Sequence, residues 1–160
     1  MASARLFGSC GAKVVMAARR MELLRELAPS VSPDPERVLC VKTDVSVEED
    51  CRNMVEAAVA KFGRIDILVN NAGISMRAMF RDMKLDVLRR LMDVNFWGTV
   101  YCTRYALPYL LETWGSLVGV ISIAGYSALP ARTGYSSSKY AVRGFLDTIR
   151  IEHMKDGLNV

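Results

Sequence analysis

Tyr135 and Lys139 stand four residues apart in a stretch, 134–154, whose pattern reads as a long helix. On a helix that spacing puts both side chains on one face, about one 5.4 Å turn apart. A free phenol, with a pKa of about 10, is a poor acid or base at neutral pH. An ammonium group beside it favours the phenolate and lowers that pKa. The pair is therefore suited to acid–base chemistry on an alcohol or ketone. Taken alone, the spacing also fits a plain surface contact. Ser122 ends a strand-like run thirteen residues before Tyr135; its hydroxyl is suited to binding a developing alkoxide, or it is a turn serine. Asn95, in Val94-Asn95-Phe96-Trp97-Gly98, falls midway along a helical region. Asparagine is unfavourable in a helix interior, so it points to a polar network, a kink or a water site.

The elements that must position these residues alternate along the chain. Residues 4–9 read as the last turns of a helix, stopped at Gly11. Strand-like runs cover 13–17, 38–42, 65–69 and 117–122, with a further strand starting at Asn159 and Val160. Helical runs cover 21–27, 85–111 and 134–154, and another begins near Ser46. Ser46 and Glu49 have capping-box spacing, and Val47, Cys51, Met54, Val55, Ala58, Val59 and Phe62 follow the 3.6-residue period up to Gly63. Pro29, Pro33 and Pro35 mark a loop. Such alternation, with strands apolar on both sides, predicts an α/β fold with a parallel sheet covered on both faces. Ligands of such sheets bind beyond the carboxyl ends of the strands. Ala18-Arg19, Thr43-Asp44, Asn70 to Gly73 and Ser122 all occupy those ends and are expected to share one cleft.

With 160 residues and 51% hydrophobic content, the chain suits one globular domain. No apolar run approaches the roughly 18 residues of a membrane span. Arg5, Lys13, Arg19 and Arg20 precede the first acid, Glu22, and the remaining 17 basic residues (21 − 4) are balanced by 17 acids. No broad basic face is left for nucleic acid. The acid-free start resembles a transit peptide, yet fits a folded helix and strand better. Cys10, Cys40, Cys51 and Cys102 are scattered, and the single histidine, His153, cannot complete a zinc set with them. Free thiols suit a reducing compartment, and a cytoplasmic location is expected, with membrane association through a preceding segment left open.

The ordered set Asp44, Asn70-Asn71-Ala72-Gly73, Asn95, Ser122 and Tyr135-Ser136-Ser137-Ser138-Lys139 resembles the short-chain dehydrogenase/reductase family over nearly all 160 residues. The resemblance implies a Rossmann-like doubly wound parallel sheet and one partial dinucleotide-binding and catalytic domain spanning 1–160. It implies that Tyr135 is the catalytic acid/base, that Lys139 lowers its pKa and binds the nicotinamide ribose, that Ser122 positions the substrate oxygen, and that Asn95 holds a water in the proton relay. Asn71, Ala72 and Gly73 would line the cofactor cleft, Tyr135 would border the cofactor as well as act on substrate, Asp44 would bond the adenine, and Val45 would lie beside that ring. Family members often dimerise through the helices that here hold 85–111 and 134–154, so a homodimer or homotetramer is expected, although Phe145, Leu146 and Ile149 read equally as core.

Cofactor choice follows from charge. An acid at the end of the family's second strand would bind the ribose hydroxyls of NAD and repel a phosphate. Here Ala17-Ala18-Arg19-Arg20 occupies that position, and arginine pairs well with phosphate, so NADP(H) is favoured over NAD(H). Ile74 to Phe80 and Tyr126 to Thr133 should border the substrate. Met76, Met79, Phe80, Tyr126, Leu129 and Pro130 in them make an apolar wall suited to a lipophilic ketone or alcohol.

Two family features fall outside the sequence: the first strand with its Gly-rich phosphate-binding turn, and the elements after Val160. In the family order 3-2-1-4-5-6 the 13–17 strand is the second and 65–69 the fourth, so the strand between them is missing. A fragment of a longer enzyme is the favoured expectation. A non-catalytic fragment or interaction module that keeps the catalytic residues is the rival.

Overall fold

The computed structural model describes residues 2–160. They form two compact units, one ending at Arg64 and one running from Ile65 to Val160. Each contains a two-stranded parallel sheet.

In the first unit, helix α1 (Ala2–Ser9) leads to strand β1 (Val14–Ala18), then helix α2 (Met21–Leu27), strand β2 (Val38–Lys42) and helix α3 (Glu48–Phe62). β1 and β2 pair in parallel, with Met16 opposite Cys40. Met16, Leu24, Val31 and Val38 form the core, and Ala4, Val14, Met21, Ala28 and Cys40 pack around them. Burial pushes the Cys40 thiol pKa up, and the Arg25 guanidinium partly offsets it.

The expected cap at Ser46 is not formed. Helix α3 starts at Glu48 after Val47, which lends no side-chain cap. Ser46 instead gives its backbone N–H and its hydroxyl to Asp44 Oδ1, at 3.0 and 2.7 Å. The shorter, charged acceptor two residues upstream wins the serine for a local Asx turn. Cys51, Val55 and Ala58 are the buried stripe of α3, whereas Val47, expected on that stripe, is exposed because it precedes the helix. Gly63 ends the helix with φ 79°, a left-handed value suited to glycine.

The second unit runs from strand β3 (Ile67–Asn70) through helix α4 (Leu85–Leu91), a π-helical segment (Met92–Trp97) and helix α5 (Gly98–Glu112) to strand β4 (Ser116–Gly119) and helix α6 (Thr133–Glu152). β3 pairs with β4 in parallel, Val69 opposite Val118. A further parallel bridge joins Ser116 to Asn159, where a strand start was expected. Leu110, Leu117 and Val142 are nearly inaccessible and centre the core between sheet and helices. Gly119 lets α6 come close: a Cβ there would stand 2.1 Å from Leu146 Cδ1.

One expectation needs correction here. The strands are not covered on both faces within this unit: Ile67, Val69, Val118 and Val120 are exposed. α5 packs on β3 and β4, and α6 on β4. The stretch 85–111 is helical as expected, through α4, the π-segment and α5. It widens into a π-turn around Asn95, which is wholly buried. Such bulges often occur at functional sites.

Candidate active site

The catalytic candidates lie in the second unit, and the π-segment is central to their placement. The wider turn leaves the Asn95 carbonyl to accept the Thr99 hydroxyl at 2.8 Å. Phe96 meets Phe145 of α6 edge-on, centroids 6.3 Å apart, and fixes the segment against that helix. The Asn95 amide then reaches a loop and a helix together. Its Oδ1 accepts from the Ile74 N–H at 2.8 Å, and its Nδ2 donates to the Ile74 carbonyl at 3.0 Å and to Ser138 Oγ at 2.9 Å. Ser138, also wholly buried, donates to the Tyr135 carbonyl at 2.8 Å. Both amide hydrogens of Asn95 are thus taken by protein, and only acceptor positions remain for the water expected there.

Lys139 is 6% exposed and donates to the Val120 carbonyl at 2.9 Å. Burial pushes its pKa below the ordinary lysine range, and the nearby Tyr135 phenol partly offsets this. Its Nζ lies 6.0 Å from the Tyr135 ring centroid. Tyr135 and Lys139 line one cavity of about 180 Å³ together with Asn71, Gly73, Ile74, Ser75, Val120 and Ile121. A Cβ on Gly73 would stand 3.3 Å from Asn95 Oδ1 and 3.6 Å from Lys139 Nζ, so a glycine keeps that approach open. An ammonium has three donors and one is spent on Val120. The donor set left beside Gly73 and Asn71 fits a pair of ribose hydroxyls.

The structure therefore brings Asn71, Gly73, Asn95, Tyr135 and Lys139 together. Ala72, exposed, is not part of the cavity lining. Ser122 follows two lining residues, Val120 and Ile121, but is not itself among them; its hydroxyl accepts from the Ala124 N–H at 3.2 Å and starts a short 3₁₀ turn. The two segments expected to border the substrate do meet: Ala78 N–H donates to the Ala131 carbonyl at 3.0 Å. Met79, Phe80, Tyr126 and Leu129 in those segments are exposed. A second cavity of about 390 Å³ lies beside Leu129, Thr133, Ser136 and Tyr140.

In the first unit, Arg19 and Asp44 leave adjacent strand ends, because the Thr43 N–H donates to the Ala18 carbonyl at 3.0 Å. Arg19 is exposed. The Asp44 N–H donates to Asp50 Oδ2 at 2.8 Å, and the Val45 carbonyl accepts the Cys51 thiol at 3.5 Å, so both are tied to α3.

Several supporting residues escaped the sequence reading: Ser138, Thr99, Ser75 and Arg132, and Thr103, which accepts from Asn70 Nδ2 at 3.0 Å. Single serines and threonines give no signal of their own in one sequence. Arg132 does give one: it occupies the N-cap of α6, where serine, threonine, aspartate or asparagine is usual.

The short chain dehydrogenase profile matches residues 1–160. The chain is 42% identical over 151 residues to an 11-beta-hydroxysteroid dehydrogenase A of Sesamum indicum, covering 91% of this chain and 42% of that protein. A short-chain dehydrogenase/reductase of unknown function from Caenorhabditis elegans, crystallised with cofactor, superposes with a TM-score of 0.93 at 28% identity, over 99% of this chain and 62% of that one. The NADP-bound structure of ElxO gives 0.90 at 29% identity, over 99% and 65%. The chain spans about half or less of the length of the leading curated relatives, 42% to 51%. Profile, fold and the Rossmann-like arrangement of parallel strands agree: the chain belongs to the short chain dehydrogenase family.

Proposed function

We propose that the intact protein is an NADP(H)-dependent oxidoreductase that interconverts a hydrophobic alcohol and its ketone or aldehyde, and that residues 1–160 are one partial dinucleotide-binding and catalytic domain of it. The observation that carries this reading is the shared cavity: Tyr135 and a buried Lys139 face it with Asn71 and Gly73.

Tyr135 gives its phenolic proton to the substrate oxygen during reduction and takes it back during oxidation. Lys139 is the positive charge beside the phenol and the donor to the nicotinamide ribose. Ser122 holds the substrate oxygen once its hydroxyl turns from Ala124. Asn95 anchors Ile74 and Ser138 and offers its remaining acceptor to a relay water. When bound, NADPH supplies the hydride. Asn71, Ala72 and Gly73 border it, and Arg19 takes its ribose phosphate while Asp44 and Val45 take the adenine. NADP-bound relatives such as ElxO support the choice of nicotinamide. The exposed Met79, Phe80, Tyr126 and Leu129 support a lipophilic substrate, as does the steroid named for the Sesamum indicum relative.

The test is isotopic. The intact protein, given 4-deuterated NADPH and a panel of steroid and polycyclic ketones, should return alcohols carrying deuterium at the reduced carbon. Deuterium in no product, with NADPH bound, would remove the oxidoreductase reading.

A further inference from the structure

Arg132 is the wrong residue for its position by local rules. It is the N-cap of a 20-residue helix, yet its side chain makes no cap. Its positive charge also stands at the end of the helix where the dipole disfavours it. Residues that break local rules without local compensation tend to serve a site.

The guanidinium serves the loop after β3. Residues 71–79 have no regular structure, so their backbone groups need partners from elsewhere. Ile74 is held by Asn95 through both its N–H and its carbonyl. Ala78 is held by the Ala131 carbonyl at 3.0 Å. Between them Arg132 reaches in: its Nη1 donates to Ser75 Oγ and, at 3.1 Å, to the Met76 carbonyl. The same guanidinium lies 5.8 Å from the centroid of the Tyr135 ring, three residues on. Ile74 and Ser75 are cavity wall, and Tyr135 is on the same cavity. Ala131, beside it, has φ 58°, a left-handed value unusual for alanine, which aims the chain so that both rungs form.

We infer that Arg132 is a positioning residue for substrate: by clamping Ser75 and Met76 to the start of α6, it fixes the distance between the cavity wall and the Tyr135 ring. This rests on the reading of the cavity as the reaction site. Both bonds leave one nitrogen, Nη1, whose place a lysine ammonium on its shorter stem takes only in part.

The experiment uses the intact protein with Arg132→Asn, Arg132→Lys and Tyr135→Phe, with phenanthrenequinone as the probe ketone. Arg132→Asn supplies a better helix cap while removing the clamp, so it separates stability from positioning. The melting temperature should hold or rise. KM for the ketone should climb about tenfold with kcat changed less than about threefold, the pattern of lost uniform binding. The NADPH dissociation constant should stay within about twofold of the parent's, and amide exchange at residues 75–78 should quicken about tenfold. Arg132→Lys should recover part of the KM and part of the protection. If Tyr135→Phe abolishes turnover while Arg132→Asn leaves both KM and loop exchange at parental values, the clamp is overturned and the site reading stands. If Tyr135→Phe turns over normally, the site reading itself is lost, and loop exchange alone then reports on the clamp.

Discussion

In the unit that begins at Ile65, three polar side chains at or behind the candidate cavity are shielded and cross-linked. Asn95 and Ser138 are 0% exposed and Lys139 6%, each bonded to a different element. In the unit that ends at Arg64, Arg19 and Arg20 are exposed, and Asp44 is engaged by its own turn and by the first turns of α3. The contrast matches the two jobs proposed. Proton transfer needs atoms held within a few tenths of an ångström, so its residues are over-determined by buried hydrogen bonds. Recognising a phosphate needs charge in the right region, which a long exposed arginine provides without a scaffold. Substitutions in the second unit should therefore change chemistry or folding together, and those in the first only preference.

The largest effect is expected from Lys139→Met. It removes both the charge beside Tyr135 and a ribose donor, so kcat/KM should fall about 10³-fold or more, with weaker NADPH binding. Stability should move the other way. The folded-state pKa of Lys139 is lowered by burial, so folding resists its protonation. That cost is full below the folded pKa and fades as pH rises toward the ordinary lysine value. Lys139→Met should therefore melt higher than the parent at neutral pH, with the gap closing in alkaline buffer. Calorimetry across that range checks it, and a gap that widens with pH contradicts it.

Asn95→Leu should come next. It strands the Ile74 N–H and carbonyl, at about 1–3 kcal/mol for each group left unpaired, and takes one donor from the Ser138 hydroxyl, which keeps its bond to the Tyr135 carbonyl. A loss of about 2–5 kcal/mol in denaturant unfolding is expected, with the sharpest rise in amide exchange at Ile74. Unchanged stability would show that water replaces the amide at no cost, and the comparison of the two units would lose its main support.

The smallest effect is expected from Arg19→Asp. It should leave the melting temperature within about 0.5 kcal/mol equivalent, as for exposed sites generally. The NADPH-to-NADH ratio of kcat/KM should drop about 10- to 100-fold, through loss of a phosphate partner and gain of a repelling charge. A parent enzyme that uses both cofactors equally would place the phosphate contact elsewhere.

What the sequence disclosed follows the same division. The short apolar runs revealed the strands and the 3.6-residue pattern the long helices, because burial against neighbours shapes both. The Tyr135–Lys139 spacing revealed one helix face, and Asn95 was visible because asparagine is costly inside a helix. Neither the π-turn nor the partners of Asn95 were legible, since Ile74 offers only backbone atoms and Ser138 is one of three consecutive serines. The cap at Ser46 was misread because Asp44, a stronger acceptor two residues away, competes for the same groups. The exposure of Ile67 and Val69 was hidden for a different reason: apolar strand residues state that a face is to be covered, not by what or within which unit.

Tyr135 is proposed as the acid/base, with only a minor share in cofactor affinity, and a paired measurement on Tyr135→Phe tests both halves of that role. The phenolic oxygen acts in the transition state, whereas the ring, beside the Arg132 guanidinium and the Lys139 ammonium, is kept in the variant. Turnover of a probe ketone and the NADPH dissociation constant should be measured on the same preparation of intact protein. The expected result is a kcat lower by about 10²- to 10⁴-fold with a dissociation constant within about twofold of the parent's. Turnover within about threefold of the parent's, at unchanged NADPH affinity, would contradict the assignment of Tyr135 as the proton donor.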